Sequence, residues 1–149
     1  MLTISKYIQK GKYDDRDLHA KRRIGNAYAA GDVLDPNCPS RTVLKHLTSR
    51  WGVLVLLALG QETLRFSQLR RKVGGVSEKM LAQTLGLLEE DGLVVRRSLP
   101  VVPPHVEYRL SEPGREVSLK VAALTDWIED HLPSILLARA PHKPQAGAD

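Results

Sequence analysis

Cationic side chains crowd the middle of this chain: Arg65, Arg70, Arg71, Lys79, Arg96, Arg97 and Arg109, with His105 among them. Guanidinium and ammonium groups form charge-assisted hydrogen bonds with phosphate oxygens, so this density suits a polyanion. Between them stand Ser67, Ser77, Met80 and Gln83, small or flexible groups that can approach base edges and phosphates. Taken singly, each cation could also be an ordinary solvated surface charge. The formal net charge of +5 points the same way but is a weak signal alone.

Other chemistries find little support. The chain has no glycine-rich phosphate loop, no histidine pair at helical metal-ligand spacing and no Ser or Cys with a histidine plausibly beside it. His19, His46, His105, His131 and His142 are scattered. Glu89-Glu90-Asp91 reads as an acidic helix end and not as an acid/base pair. An enzyme is therefore not expected, nor a metal or cofactor. The single cysteine, Cys38, rules out an internal disulfide and suits a reducing compartment. The start of the chain shows no apolar signal core, and the apolar run Val53 to Gly60 is too short for a bilayer, so a cytoplasmic location is expected.

The elements that must position these residues follow from periodicity. Residues 1–36 are polar and mixed in charge and read as an arm outside the core. A first helix follows Cys38-Pro39 and carries Val43, Leu44 and Leu47 at helical spacing. A second, Trp51 to Leu59, is apolar on most faces and should be central. A short strand at Leu64 to Phe66 precedes a third helix, Ser67 to Val73, with Ser67 as its cap. After Gly74-Gly75, Ser77 should cap a fourth helix whose buried stripe is Met80, Leu81, Thr84, Leu85 and Leu88, with Gly92 as its stop. Its N-terminal half leaves Ser77, Lys79 and Gln83 free for a groove, while Glu89 to Asp91 would repel phosphate.

The period then changes to two. Leu93 to Leu99 and Val106 to Leu110 read as a hairpin, with a proline-rich tip that cannot pair. A long final helix spans Pro113 to Ala138, which Pro133 should kink or restart. Residues 139–149 read as a disordered tail. The order α-α-β-α-α-β-β-α, mainly helical with a small hairpin wing, is that of a winged helix-turn-helix over residues 37–112. B-DNA's major groove admits one helix, which the fourth helix would supply, braced by the third.

The motifs here resemble those of HxlR-type regulators, a MarR-like group. They are Arg65-Phe66-Ser67-Gln68-Leu69-Arg70, Gly75-Val76-Ser77-Glu78-Lys79-Met80-Leu81, Leu87 to Val94, and Val102-Pro103-Pro104-His105-Val106-Glu107-Tyr108. Cys38-Pro39 matches the start of the pattern, and Arg50-Trp51 stands where the family usually has Lys-Trp. The resemblance spans roughly Cys38 to His131. It implies a cytoplasmic, homodimeric regulator that binds double-stranded DNA, usually a repressor and sometimes an activator. The segment before Cys38 is longer than the family pattern.

Three further expectations attach to this frame. Val117, Val121, Leu124, Ile128 and Ile135, in the helix 113–138, form a stripe suited to a dimer seam, with Trp127 as core filler or part of an effector pocket. The resemblance implies that Cys38 can respond to oxidants or electrophiles. As the cap of the first helix it would be favoured as a thiolate, although Asp35 opposes this and a plain packing role stays open. Finally, the same fold could bind a small-molecule effector at the dimer interface, or serve as a protein-interaction module without DNA binding.

Overall fold

The computed structural model describes residues 33–139. The readings made for residues 1–32 and for the tail beyond residue 139 lie outside the described residues. No single helix among those described is long and apolar enough to cross a membrane.

Helix α1 (Ser40–Thr48) leads directly into α2 (Arg50–Leu59). Ser49 makes the break: it is extended and accepts a hydrogen bond from the Gly52 N–H at 3.1 Å, the N-cap geometry that satisfies an orphan amide. The apolar run predicted to be central is so, with Val55, Leu56 and Leu59 fully buried. Cys38 does not cap α1. That position belongs to Pro39, already in helical conformation, and no side chain caps this end. The Cys38 C=O accepts from the Arg41 N–H at 3.0 Å, so the backbone of Cys38 already takes part in the turn that leads into the helix.

Strand β1 (Leu64–Arg65) is two residues long, and α3 (Phe66–Lys72) starts at once. Ser67 therefore lies inside the first turn and is not the cap. Arg65 holds that position, and its N–H donates to Gln68 Oε1 at 2.9 Å. Helix α4 (Glu78–Glu90) begins as predicted, with Ser77 Oγ accepting from the Met80 N–H at 3.1 Å. Leu81, Thr84, Leu85 and Leu88 are buried, but Met80 is 39% exposed and departs from the predicted stripe. It lies in the first turn of the helix, at the edge of the apolar face.

The end of α4 is a Schellman motif. The Gly92 N–H donates to Glu89 C=O and the Leu93 N–H to Leu88 C=O, both at 2.9 Å, with Gly92 at φ 73°. Leu88 and Leu93, buried together, supply the apolar contact that goes with it.

Strands β2 (Val94–Leu99) and β3 (His105–Leu110) form the hairpin, and β1 joins them in an antiparallel sheet of order β1-β3-β2. The sheet thus has three strands, where sequence had given a hairpin and a separate extended segment. Val94, Tyr108 and Leu110 face the helices and are buried. Helix α5 (Glu112–Ala138) continues through Pro133 as one helix, so the expected restart there does not occur. Ser111 caps it, accepting from the Gly114 N–H at 3.1 Å while its own hydroxyl donates to Gly92 C=O at 2.6 Å. A side chain at Gly114 would collide with the Leu93 carbonyl, so only glycine lets α5 leave the wing base so closely.

Candidate nucleic-acid interface

Helix α4 offers a capped, exposed N-terminal half. Ser77, Lys79, Met80 and Gln83 are all exposed there. Lys79 and Gln83 are four residues apart and so lie one above the other on the same face. Among the described residues neither has a side-chain hydrogen bond or ion pair. The opposite face holds Leu81, Leu85 and Leu88 in the core, which keeps the exposed face from rotating.

The helix before it splits its cations between two tasks. Arg70 faces α4: its Nη1 donates to Glu78 Oε1 at 3.1 Å and its Nε to Val76 C=O at 3.4 Å. Lys72 Nζ donates to Ala58 C=O and to Glu62 Oε2, both at 2.7 Å. These two brace the helix-turn-helix, although Arg70 was read as a candidate phosphate contact. Arg71 and Ser67 remain on the exposed surface of α3. Arg71 has no ion-pair partner among the described residues.

On the wing, strand register decides which cations meet. Arg65 of β1 and Arg97 of β2 both lie opposite Glu107 of β3. Opposed residues share a face, so Arg65, Glu107 and Arg97 form one row across the sheet, with Arg109 and His105 on the same face of β3. Arg96, one residue away, lies opposite Tyr108 on the other face, and its Nη1 donates to Ser98 Oγ at 3.3 Å. His105 is half-buried, with Nε2 3.7 Å from Glu107 Oε1. The predicted wing cations are therefore not equivalent: Arg65, Arg97 and Arg109 share a face, and Arg96 does not. Sequence reasoning passed over Glu107 as the polar member of an alternating strand. Only the pairing of β1 with β3 reveals its position amid arginines.

A partly buried pair ties this region to α1. His46 Nδ1 donates to Asp91 Oδ2 at 2.6 Å, with both side chains 14% exposed. It fastens the end of α1 to the C-cap of α4. In sequence His46 was one of five scattered histidines, and a separation of 45 residues left no local signal. Among the described residues no cluster of three or more His, Cys, Asp or Glu gathers in a metal-holding arrangement.

The family profile described as HxlR-like helix-turn-helix matches residues 46–135, from the His46 bridge to the last turns of α5. The chain belongs to the HxlR-like family. The chain is similar to an uncharacterized HTH-type transcriptional regulator, YtfH, of Escherichia coli (strain K12). The two are 63% identical over 109 residues, which cover 73% of this chain and 86% of that protein. Among solved structures it is similar to the transcriptional regulator ytfH from Salmonella typhimurium, with 64% identity, a TM-score of 0.70, and coverage of 73% of this chain and 97% of that one. It also resembles the redox regulator HypR in its reduced form, at 29% identity and a TM-score of 0.61, covering 66% of this chain and 98% of HypR. An HxlR-like winged helix-turn-helix is a DNA-binding unit of transcription regulation, and this chain is a transcriptional regulator of that kind.

Along α5 the apolar stripe divides. Val117 and Val121 pack against the chain's own core, and Ile135 is half-buried. Leu124, Ile128, Leu132 and Leu136 are exposed, as is Trp127, which stacks on His131 at 4.4 Å between ring centroids. Trp127 is therefore not core filler in this chain. Leu54 of α2, which packs against α5, and Val43 and Leu44 of α1 add further exposed apolar surface.

Proposed function

We propose that the chain is a sequence-specific repressor that binds a two-fold operator as a homodimer. Helix α4 enters the major groove by its N-terminal half. Gln83 and Met80 face base edges, and Lys79 and the Ser77 end of the helix hold phosphates. Arg71 and Ser67 on α3 and Arg65, Arg97, Arg109, Arg96 and His105 on the wing set register on the backbone. Arg70 acts mainly by bracing α4 through Glu78. The observation that carries the reading is the capped α4 with Lys79 and Gln83 exposed and, among the described residues, unpaired on one face while its other face is locked into the core.

The exposed part of the α5 stripe supports the homodimer in this reading. Exposed apolar side chains grouped along one helix mark a candidate interface. A two-fold pair would place two α4 helices about 34–36 Å apart, one turn of DNA. A DNA target accords with a cytoplasmic location.

The test is binding to the fragment upstream of the chain's own gene against a scrambled duplex at physiological salt. Binding tighter by roughly a thousandfold is expected for a specific regulator. Equal, weak binding to both, with no site recovered by genome-wide selection, would favour a protein-interaction module.

A response through Cys38 is a second reading. The thiol is partly exposed in the turn leading into α1, and the likeness to the redox regulator HypR supports it. Oxidant treatment should change operator affinity in the wild type and leave Cys38→Ser unchanged. An oxidant effect that persists in Cys38→Ser rejects it, and release by a small molecule would favour an effector pocket between the dimer helices.

A further inference from the structure

The wing carries an anion for which phosphate contact has no use. Glu107 lies at the centre of a cationic face. Arg65 and Arg97 flank it on the neighbouring strands, Arg109 follows on its own strand, and His105 precedes it. Cβ atoms of directly opposed residues are about 4.5–5.5 Å apart, so the two flanking guanidinium groups are within easy reach of the carboxylate. Yet among the described residues His105 is the only charged-group partner of Glu107, at 3.7 Å. The side chain keeps 27% of its surface exposed, so the negative charge faces solvent together with the arginines.

We propose that Glu107 is a specificity-determining residue, an electrostatic filter that weakens the wing's hold on arbitrary DNA. The proposal rests on the reading that this face meets the DNA backbone. Non-specific binding is essentially all phosphate electrostatics. A fixed negative charge in the phosphate-binding face acts on that term directly. Arg65 and Arg97 stand two strand spacings apart, about 10 Å, with the carboxylate midway. A duplex held in one register by α4 can seat phosphates toward the flanking arginines and leave Glu107 in the gap. A duplex without base contacts samples every register, including those that set a phosphate against the carboxylate. The filter therefore costs the loose complex more than the docked one, and the ratio between them widens.

Glu107→Gln keeps the size and hydrogen-bonding capacity of the side chain and removes its charge, and Glu107→Asp keeps the charge. Both would first be shown to melt like the wild type. Affinity would then be measured over a salt series for a random-sequence duplex and for the duplex that wild-type protein selects from a random pool. Glu107→Gln should bind the random duplex roughly three- to tenfold more tightly, as expected for one like charge removed at several ångströms in water. Its affinity for the selected duplex should change less than twofold, and Glu107→Asp should retain the wild-type ratio. Equal strengthening on both duplexes overturns the proposal, as does no change on either. Weaker binding to both would make Glu107 an organiser of the arginines and also overturn it. If wild-type protein selects no duplex, the reading of α4 fails, and the filter, defined by the ratio between docked and loose complexes, is overturned with it; a selected duplex with equal strengthening overturns the filter alone.

Discussion

Lys79 and Gln83 stand one turn apart on α4 and are expected to do different work. Lys79→Ala should weaken binding about equally on every duplex and reduce the slope of log affinity against log salt by about one, the signature of one lost phosphate contact. Gln83→Ala should leave that slope alone and cost about 1–3 kcal/mol on the preferred site only, relaxing choice at one base pair. A salt series on selected and scrambled duplexes separates the two, and a change of slope in Gln83→Ala would count against its role as a base reader. His46 makes a different prediction. Removing its imidazole leaves the Asp91 carboxylate in a mostly buried site without its 2.6 Å partner. His46→Ala should lower unfolding stability by about 1–3 kcal/mol, read from denaturant midpoints.

Elements here are set by their ends as much as by their faces. The capped start and Schellman end of α4 were legible because Ser77 and Gly92 are residues that such termini need. Ser77→Ala should cost about 1 kcal/mol and loosen the part of the helix that faces the groove, seen as faster amide exchange at Met80. Helix α3 was misplaced by one or two residues because Ser67 is a good cap by type, whereas pairing of Leu64 and Arg65 with β3 holds Arg65 at the boundary. Gly114→Ala tests the junction of α5 with the wing. Its methyl would meet the Leu93 carbonyl, so α5 must shift, at a cost of about 1–3 kcal/mol in thermal unfolding.

At the scale of the molecule, α5 is longer than the core it covers. Its first turns bury Ser118 and Ala122 and dock Val117 and Val121, and beyond them Leu124, Ile128, Leu132 and Leu136 are exposed. Leu124→Glu combined with Ile128→Glu should yield a folded monomer by light scattering and a steep loss of operator affinity, because two half-sites would no longer be bound as one unit. A dimer that survives both changes would place the seam elsewhere.

Hydrophobic period, capping residues and breakers determined the helices, the wing and the winged-helix order from sequence alone, since each is a local property of a few neighbouring residues. Charge type likewise marked out the cationic segments. Tertiary structure decided which of these groups share a face. Strand register set Glu107 between Arg65 and Arg97, helix packing brought Arg70 and Lys72 against partners on neighbouring elements as braces, and close approach of α1 and α4 joined His46 to Asp91. Those contacts join residues that are remote in the chain or on different elements, and a periodic pattern within one element carries no information about its neighbour's register.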